Sequence, residues 1–223
     1  PALDIVHLRR KAGAVDELMA ATGLAVGRRI EPLTRERWPV LEALFGRGGA
    51  SYGCWCMFFR RSSTEVSDAK AADNKADLLA LADGDPAPGL LAYDGSAAVG
   101  WVGLGPRASF ARLVRSRNLK PIDDLPTWSA VCFYITRQRR GEGIARSLLG
   151  GAIAYAQANG APAIEGYARD ASDTRLSADG AYPGTVSLFE GAGFREIARY
   201  LPPGGATARV TMRRELDATS TTS

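Results

Sequence analysis

A basic, glycine-bearing turn contains the residues of this sequence that are best suited to bind a charged ligand. It reads Thr-Arg-Gln-Arg-Arg over residues 136–140 and continues as Gly141-Glu142-Gly143. Glycine lets the backbone come close to a ligand, and arginine can donate paired hydrogen bonds to phosphate oxygens. If a helix begins directly after the turn, its free N–H groups and positive dipole end would face the same ligand. The turn therefore predicts a phosphate site, although many α/β proteins use such a turn for packing alone.

The flanking residues predict a strand before the turn and a helix after it. Residues Trp128–Ile135 form a near-continuous apolar run of aromatic and β-branched character, which is typical of a buried strand. After the turn, apolar residues recur every four positions and would form one helix face: Ile144, Leu148, Ala152 and Ala156. Gly160 and Pro162 indicate the end of this helix. The turn is thus predicted to join a buried strand to an amphipathic helix.

Two motifs carry a resemblance to a known family. The pattern Gln138-x-x-Gly141-x-Gly143 followed by Ile144-Ala145 resembles the pyrophosphate-binding motif of the GNAT acetyltransferase superfamily, which holds acetyl-CoA. The Walker pattern is excluded because no Gly-Lys-Ser/Thr follows, and a dinucleotide G-x-G-x-x-G series would place Arg146 at its last glycine. Residues 188–194, Leu-Phe-Glu-Gly-Ala-Gly-Phe, are similar to the family's Leu-Tyr-Glu-Lys-x-Gly-Phe segment. The resemblance covers residues 28–216.

The resemblance implies an α/β (α+β) fold. We expect a mixed, mostly antiparallel central sheet of about six to seven strands flanked by helices, with a splayed strand pair that binds the cofactor. The elements read from the residues follow the family's order, and Asp94-Gly95 marks a hairpin between two of the strands. Residues 28–216 are predicted to form a single domain, with 105–127 as a substrate flap. Residues 1–27 are an N-terminal arm of uncertain structure, and 217–223 are predicted to be a disordered tail.

The resemblance also implies roles for individual residues. Backbone groups of Phe133, Tyr134 and Ile135 would contact the thioester and the pantetheine arm. The pyrophosphate would be held by the turn and the first helical residues, which are Gln138, Arg139, Arg140, Gly141, Glu142, Gly143, Ile144 and Ala145. Phe189 stands where the family usually has a tyrosine that protonates the leaving thiolate, and it is included among the cofactor-binding residues. Tyr182 is the nearest replacement for that proton donor, and the alternative is that it only packs against the cofactor.

A side chain or an ordered water could take the proton of the amine. Among side chains the carboxylates remain, because the single histidine lies in the N-terminal arm. Glu165 is in the strand predicted next to the cofactor strand and is our candidate. The alternation of side chains along a strand leaves a surface-facing position as the other interpretation. Asp170 and Asp173 are weaker candidates for the same role.

The segment Cys54-Trp55-Cys56-Met57-Phe58-Phe59 has three interpretations. A metal site would need about four ligands, and the chain offers only three cysteines and His7, so no metal is expected. A catalytic thiol would need a histidine partner, and a disulfide between Cys54 and Cys56 would be strained. We favour apolar packing with sulfur–aromatic contacts, in which some of these side chains line the acceptor pocket.

Composition excludes several classes of protein. The chain has 223 residues, 46% hydrophobic, and a net charge of +4, which does not call for a nucleic-acid partner. No apolar run approaches the roughly 18–20 residues that a membrane span needs, and the N-terminus shows no signal-peptide pattern. The three cysteines are too few and odd in number for a disulfide scaffold, so a cytoplasmic protein is expected.

We therefore predict an acetyl-CoA-dependent N-acetyltransferase. It would move the acetyl group to a primary amine, on a small molecule or a peptide, by direct attack in a ternary complex. Neither a nucleic-acid nor a membrane partner is expected, and a homodimer is left open. The first alternative is a non-catalytic acyl-CoA-binding or regulatory module on the same fold. The second is a nucleotide-binding protein that uses the same turn.

Overall fold

The computed structural model describes residues 28–62, 64–65, 70–171, 180–204 and 207–217. The arm 1–27 and residues 218–223 of the expected tail lie outside them, as do Asp173 and His7. The strands are β1 (Arg29–Pro32), β2 (Gly89–Asp94), β3 (Ala97–Pro106), β4 (Trp128–Ile135), β5 (Ala163–Arg169), β6 (Arg195–Tyr200) and β7 (Arg209–Glu215). The helices are α1 (Trp38–Phe45), α2 (Ala71–Leu81), α3 (Ala111–Val114), α4 (Ile144–Ala158) and α5 (Val186–Glu190), with 3-10 turns at Arg107–Ser109 and Arg137–Arg139. No helix in these ranges is long and apolar enough to span a bilayer.

The strands form one sheet in the order β1-β2-β3-β4-β5-β7-β6. Every neighbouring pair is antiparallel except β4 and β5, which run parallel. A parallel pair needs a crossover connection, and α4 supplies it. The hairpin between β2 and β3 turns at Asp94-Gly95 as expected, with Gly95 at φ 59°. The sheet agrees with the prediction of a mixed, mostly antiparallel sheet of about six to seven strands.

Two buried clusters cover the two faces of the sheet. Along β2, Leu90 and Ala92 belong to the cluster beneath α4 and α5, whereas Leu91 and Tyr93 belong to the cluster beneath α1 and α2. This is the alternation expected when both faces of a strand are covered. We call these the α4 face and the α1 face. The apolar stripe predicted on α4 is buried along the helix.

A β-bulge in β4 separates this strand from β5. Gly103 pairs with Cys132 and the next residue, Leu104, pairs with Ala130, so Val131 is an extra residue in β4. The pairing of β4 with β5 covers only Trp128 to Ala130 and ends at the bulge. A bulge bends its strand and ends regular pairing. The two parallel strands therefore part over the C-terminal half of β4.

The segment predicted as a flap, residues 105–127, contains the end of β3, a 3-10 turn and α3. Arg107 donates from its guanidinium to Leu113 O and Leu119 O, and Arg112 donates from its N–H to Phe59 O at 3.1 Å. The Arg107 bonds hold the segment together internally, and the Arg112 bond ties it to the Cys54–Phe59 segment. A role as a mobile flap stays a prediction.

Candidate functional site

A cleft of about 740 Å³ opens where β4 and β5 part. Four parts of the chain line it: the end of β4, the turn with the start of α4, the loop 50–58 with α2, and the residues around the start of α5. The lining residues are Cys132, Phe133, Tyr134, Ile135, Arg140, Ala145, Ala50, Ser51, Tyr52, Gly53, Cys54, Met57, Phe58, Ala71, Asn74, Ala181, Tyr182, Gly184, Thr185 and Leu188. The predicted cofactor strand and turn and the Cys54–Phe59 segment thus meet at one cleft.

Two backbone N–H groups of β4 face the gap between β4 and β5. Thr136 donates its N–H to Val99 O of β3, and alternation along this antiparallel pair directs the N–H groups of Phe133 and Ile135 to the other side. The Phe133 N–H donates to Tyr182 O at 2.7 Å. The Ile135 N–H lies two residues further into the cleft and is placed to donate to a ligand.

The glycines of the turn adopt a backbone conformation that other residues rarely take. Gly141 has φ 85° and Gly143 has φ 77°, and a Cβ added at either position would meet no heavy atom within 4 Å. Conformation rather than crowding therefore selects glycine here. Gly143 is also the N-cap of α4 and supplies no side-chain cap, so the first N–H groups of the helix remain available to an anion.

The charged residues of the turn divide into a paired and an exposed set. Arg139 donates to Glu142 at 2.8 Å and forms an ion pair with Asp94. The hydrogen bond from Arg139 is the main cause that lowers the pKa of Glu142, and burial acts in the opposite direction. Arg140, by contrast, lines the cleft and donates only to Ile135 O, at 3.3 Å, among the bonds of the described residues. Of the predicted pyrophosphate ligands, Arg140 is the cation best placed for a ligand.

The model of the Acetyltransferase (GNAT) family matches residues 55–178, more than half of the chain. The chain belongs to the GNAT family. Among solved structures, similar folds include an N-acetyltransferase from Staphylococcus aureus Mu50 (14% identity, 86% of this chain and 99% of that chain, TM-score 0.51). A GCN5-related N-acetyltransferase from Kribbella flavida is also similar (16% identity, 85% and 98%, TM-score 0.51). At these identities the likeness shows the fold alone. No curated protein matches the sequence.

Three residues predicted to bind the GNAT cofactor are not among those that line the cleft. Ile144 is buried in the core beneath α4, and Gln138 is exposed outside the cleft lining. Phe189, at the position of the family's tyrosine, is 0% exposed and lies against Gly166, where an added Cβ would be 2.1 Å from its ring. The aromatic ring of Phe189 is therefore a core group, which corrects its assignment to the cofactor site.

Tyr182, the predicted proton donor, does line the cleft. Its ring packs against Phe58 and Phe59, with centroids 5.9 and 6.2 Å away. Burial is the main cause that raises the pKa of Tyr182 above its ordinary value, so the hydroxyl keeps its proton at neutral pH. Tyr182 thus has a proton to donate and lies in the cleft lining, while its role as the donor stays a prediction.

Glu165, the predicted general base, is placed away from the cleft. It is 3% exposed, and its carboxylate accepts hydrogen bonds from Arg213 at 2.8 and 3.1 Å and from the Tyr167 hydroxyl at 3.0 Å. It is not among the residues that line the cleft. Asp170 is paired with Arg199. The structure thus gives Glu165 a buried ion pair with Arg213 instead of access to an amine, because it lies where β5 is still paired with β4, before the two strands part.

The cysteines form a cluster that sequence reasoning did not anticipate. The sulfur atoms of Cys56 and Cys132 are 3.1 Å apart, and Cys54 lines the cleft. A hydrogen bond from the Cys56 thiol is the main cause that lowers the pKa of Cys54 to about 6. Cys132 comes from the cofactor strand, so only the fold could bring it to the Cys54–Phe59 segment. In the described ranges, no group of three or more His, Cys, Asp or Glu residues could hold a metal ion.

Proposed function

We propose that this GNAT protein is an acetyl-CoA-dependent N-acetyltransferase that moves the acetyl group to a primary amine by direct attack in a ternary complex. The observation that carries the proposal is the parting of β4 and β5 at the Val131 bulge, beside an uncapped helix N-terminus with two glycines at positive φ. A slot between strands fits an extended pantetheine arm, and the helix N-terminus fits a pyrophosphate.

The pyrophosphate would contact the turn at Gly141 and Gly143, the first N–H groups of α4, and the Arg140 guanidinium. The Ile135 N–H would donate to the thioester carbonyl oxygen. This amide is fixed in a strand before the substrate arrives, so it stabilises the developing negative charge without reorganisation. The Phe133 N–H would not share this role, because it already donates to Tyr182 O.

In the proposed reaction the amine nitrogen attacks the thioester carbon, the carbon–sulfur bond breaks, and the departing thiolate takes a proton from the Tyr182 hydroxyl. Tyr182 recovers its proton from solvent. The attacking amine gives up its own proton to water in the open cleft, since the described lining residues include no carboxylate or imidazole. The enzyme acts mainly by positioning both substrates.

Calorimetric titration with acetyl-CoA tests the proposal. The wild type should bind, and the Gly141→Asp/Gly143→Asp variant should not, because a carboxylate would repel the pyrophosphate and hinder backbone approach. Gly160→Asp is the control: it follows the other end of α4, has a similar φ of 75°, and is equally open. It should bind as the wild type does. Absence of binding in the wild type, or tighter binding of ATP or NAD than of acetyl-CoA, would contradict the proposal.

A second candidate function is a non-catalytic acyl-CoA-binding module. It is favoured by Phe189, which has no proton to donate and lies in the core. Acetyl-CoA binding without release of CoA in the presence of a broad amine panel would select this function over the transferase.

A further inference from the structure

The side chains that β5 and β7 direct to the α1 face form a short column of three cross-strand pairs. Their register places Glu165 opposite Arg213, Tyr167 opposite Thr211, and Arg169 opposite Arg209. Directly opposite residues point to the same face and interact. The first pair is a buried ion pair, with oxygen and nitrogen 2.8 Å apart. The last pair, at the end of β5 that borders the cleft, sets two arginines against each other.

The charges of Arg169 and Arg209 are not balanced by a carboxylate within the described part of the chain. Like charges directly opposite each other destabilise a sheet. Neither arginine forms an ion pair there, and the buried Nε of Arg169 has no hydrogen-bond partner among the described residues. The neighbouring carboxylate of Asp170 is taken up by Arg199. An anion between the two guanidinium groups would remove the repulsion and satisfy the buried donor.

This arginine pair lies beside the acceptor side of the cleft. Arg209 is hydrogen-bonded to the Tyr182 hydroxyl, and its charge opposes the effect of burial on the tyrosine pKa. The Arg169 N–H donates to Gly184 O at 2.9 Å, and both Gly184 and Tyr182 line the cleft. A group bound by the pair would therefore be close to the hydroxyl that we propose protonates the thiolate.

We infer that Arg169 and Arg209 bind a carboxylate of the acceptor, so that the acceptor is an apolar amino acid or a related amino carboxylate. This inference rests on the proposed function. Two guanidinium forks suit a carboxylate, and they would repel a polycationic amine. Met57 and Phe58 supply an apolar wall for the acceptor's side chain. The carboxylate would hold the amine in line with the thioester.

The test compares two amines that differ only in the carboxylate, L-phenylalanine and 2-phenylethylamine. In the wild type we expect the amino acid to have the higher kcat/KM. Arg169→Gln should lower its kcat/KM by about 10- to 100-fold, the usual loss for a hydrogen bond to a charged group, and change that of the amine less than about 3-fold. Arg209→Gln should lower the kcat/KM of the amino acid by more than that of the amine, because this arginine is also bonded to Tyr182. Arg195→Gln, an exposed arginine of β6, is the control and should alter neither.

Two further measurements separate this inference from the proposed function. The affinity of the CoA-saturated protein for L-phenylalanine tests carboxylate binding even without turnover. Both Gln variants should weaken this affinity by a factor similar to the loss in kcat/KM. The unfolding midpoint of unliganded Arg169→Gln should equal or exceed that of the wild type, because repulsion is relieved and no hydrogen bond of the Arg169 Nε is lost.

Equal kcat/KM for the two amines would overturn the inference and leave the transferase standing. So would loss of acetyl-CoA affinity in the Gln variants without loss of discrimination, because the pair would then bind a cofactor phosphate. Failure of the wild type to bind acetyl-CoA would instead overturn the proposed function itself.

Discussion

Replacing Glu165 should destabilise the fold strongly and affect catalysis little. The carboxylate is 3% exposed and is bonded to Arg213, whose side chain is 6% exposed, and to the Tyr167 hydroxyl. Glu165→Ala would leave the arginine buried without this partner and would remove an acceptor from the tyrosine. Glu165 was also the candidate for the general base predicted from the sequence, so replacing it distinguishes a structural role in a buried ion pair from a catalytic role.

The size of the effect follows from what remains around Arg213. Removing one partner of a buried ion pair costs about 3–5 kcal/mol. Arg213 keeps Asp123, whose side chain is 47% exposed, and Tyr167 keeps the Ser129 hydroxyl at 3.0 Å. Arg107, whose Nε lies 3.7 Å from the Glu165 carboxylate, keeps its bonds to Leu113 O and Leu119 O. Since all three groups retain a partner, we expect the lower end of that range, about 3 kcal/mol, for Glu165→Ala.

Urea unfolding followed by circular dichroism measures this loss. The matched control is Glu215→Ala, which removes an ion pair with Arg195 on the same side of the sheet, but with both side chains more than half exposed. Such surface pairs contribute about 0–1 kcal/mol.

The kinetic experiment uses Glu165→Gln, which keeps the side-chain volume and an acceptor oxygen. Its kcat/KM should stay within about 3-fold of the wild-type value, whereas loss of a general base would lower the rate by about 100- to 10,000-fold.

Two results would refute this reasoning. One is a free energy of unfolding for Glu165→Ala within about 1 kcal/mol of the Glu215→Ala control, which would mean that the buried pair behaves as a surface pair. The other is a Glu165→Gln protein that folds normally, binds acetyl-CoA and has lost turnover by about 100-fold or more, as a general base would require.

Three shorter predictions concern the cleft. Alkylation of Cys54 by iodoacetamide should reach half its maximal rate near pH 6, where its thiol ionises, and should disappear in Cys54→Ser. An alkylation rate that still rises steeply above about pH 8.5, the ordinary cysteine pKa, would contradict this. Gly166→Ala should lower the free energy of unfolding in urea by about 1–3 kcal/mol, because the new methyl group would collide with Phe189. Gly103→Ala, where the nearest atoms to an added Cβ are at 3.4 Å or more, should lower it clearly less, and equal losses would rule out the collision. Tyr182→Phe should lower kcat by about 100-fold, and near-normal kcat in this variant would exclude the donor role. The kcat of the wild type should stay constant up to about pH 10, since burial raises the tyrosine pKa above its ordinary value.

Local patterns in the sequence were sufficient to predict the element that organises the site. The apolar run gave a strand with the observed bounds Trp128–Ile135, and the four-residue period gave a helix that begins at Ile144. Gly141 and Gly143 have the positive φ that their place in a strand-to-helix turn indicated. These features depend on side-chain periodicity and on glycine's freedom at positive φ, which act over a few residues and can be read directly.

The environment of each candidate side chain was decided only by tertiary structure. Glu165 faces Arg213, 48 residues away, and Cys56 lies against Cys132, 76 residues away. Arg169 meets Arg209 only through the register of β5 and β7. A shift of one residue in that register would turn each strand side chain to the other face, and nothing local to the strand fixes it. The sequence by itself therefore determined the strand, turn and helix of the site, and long-range packing determined which acids, thiols and arginines reach the cleft.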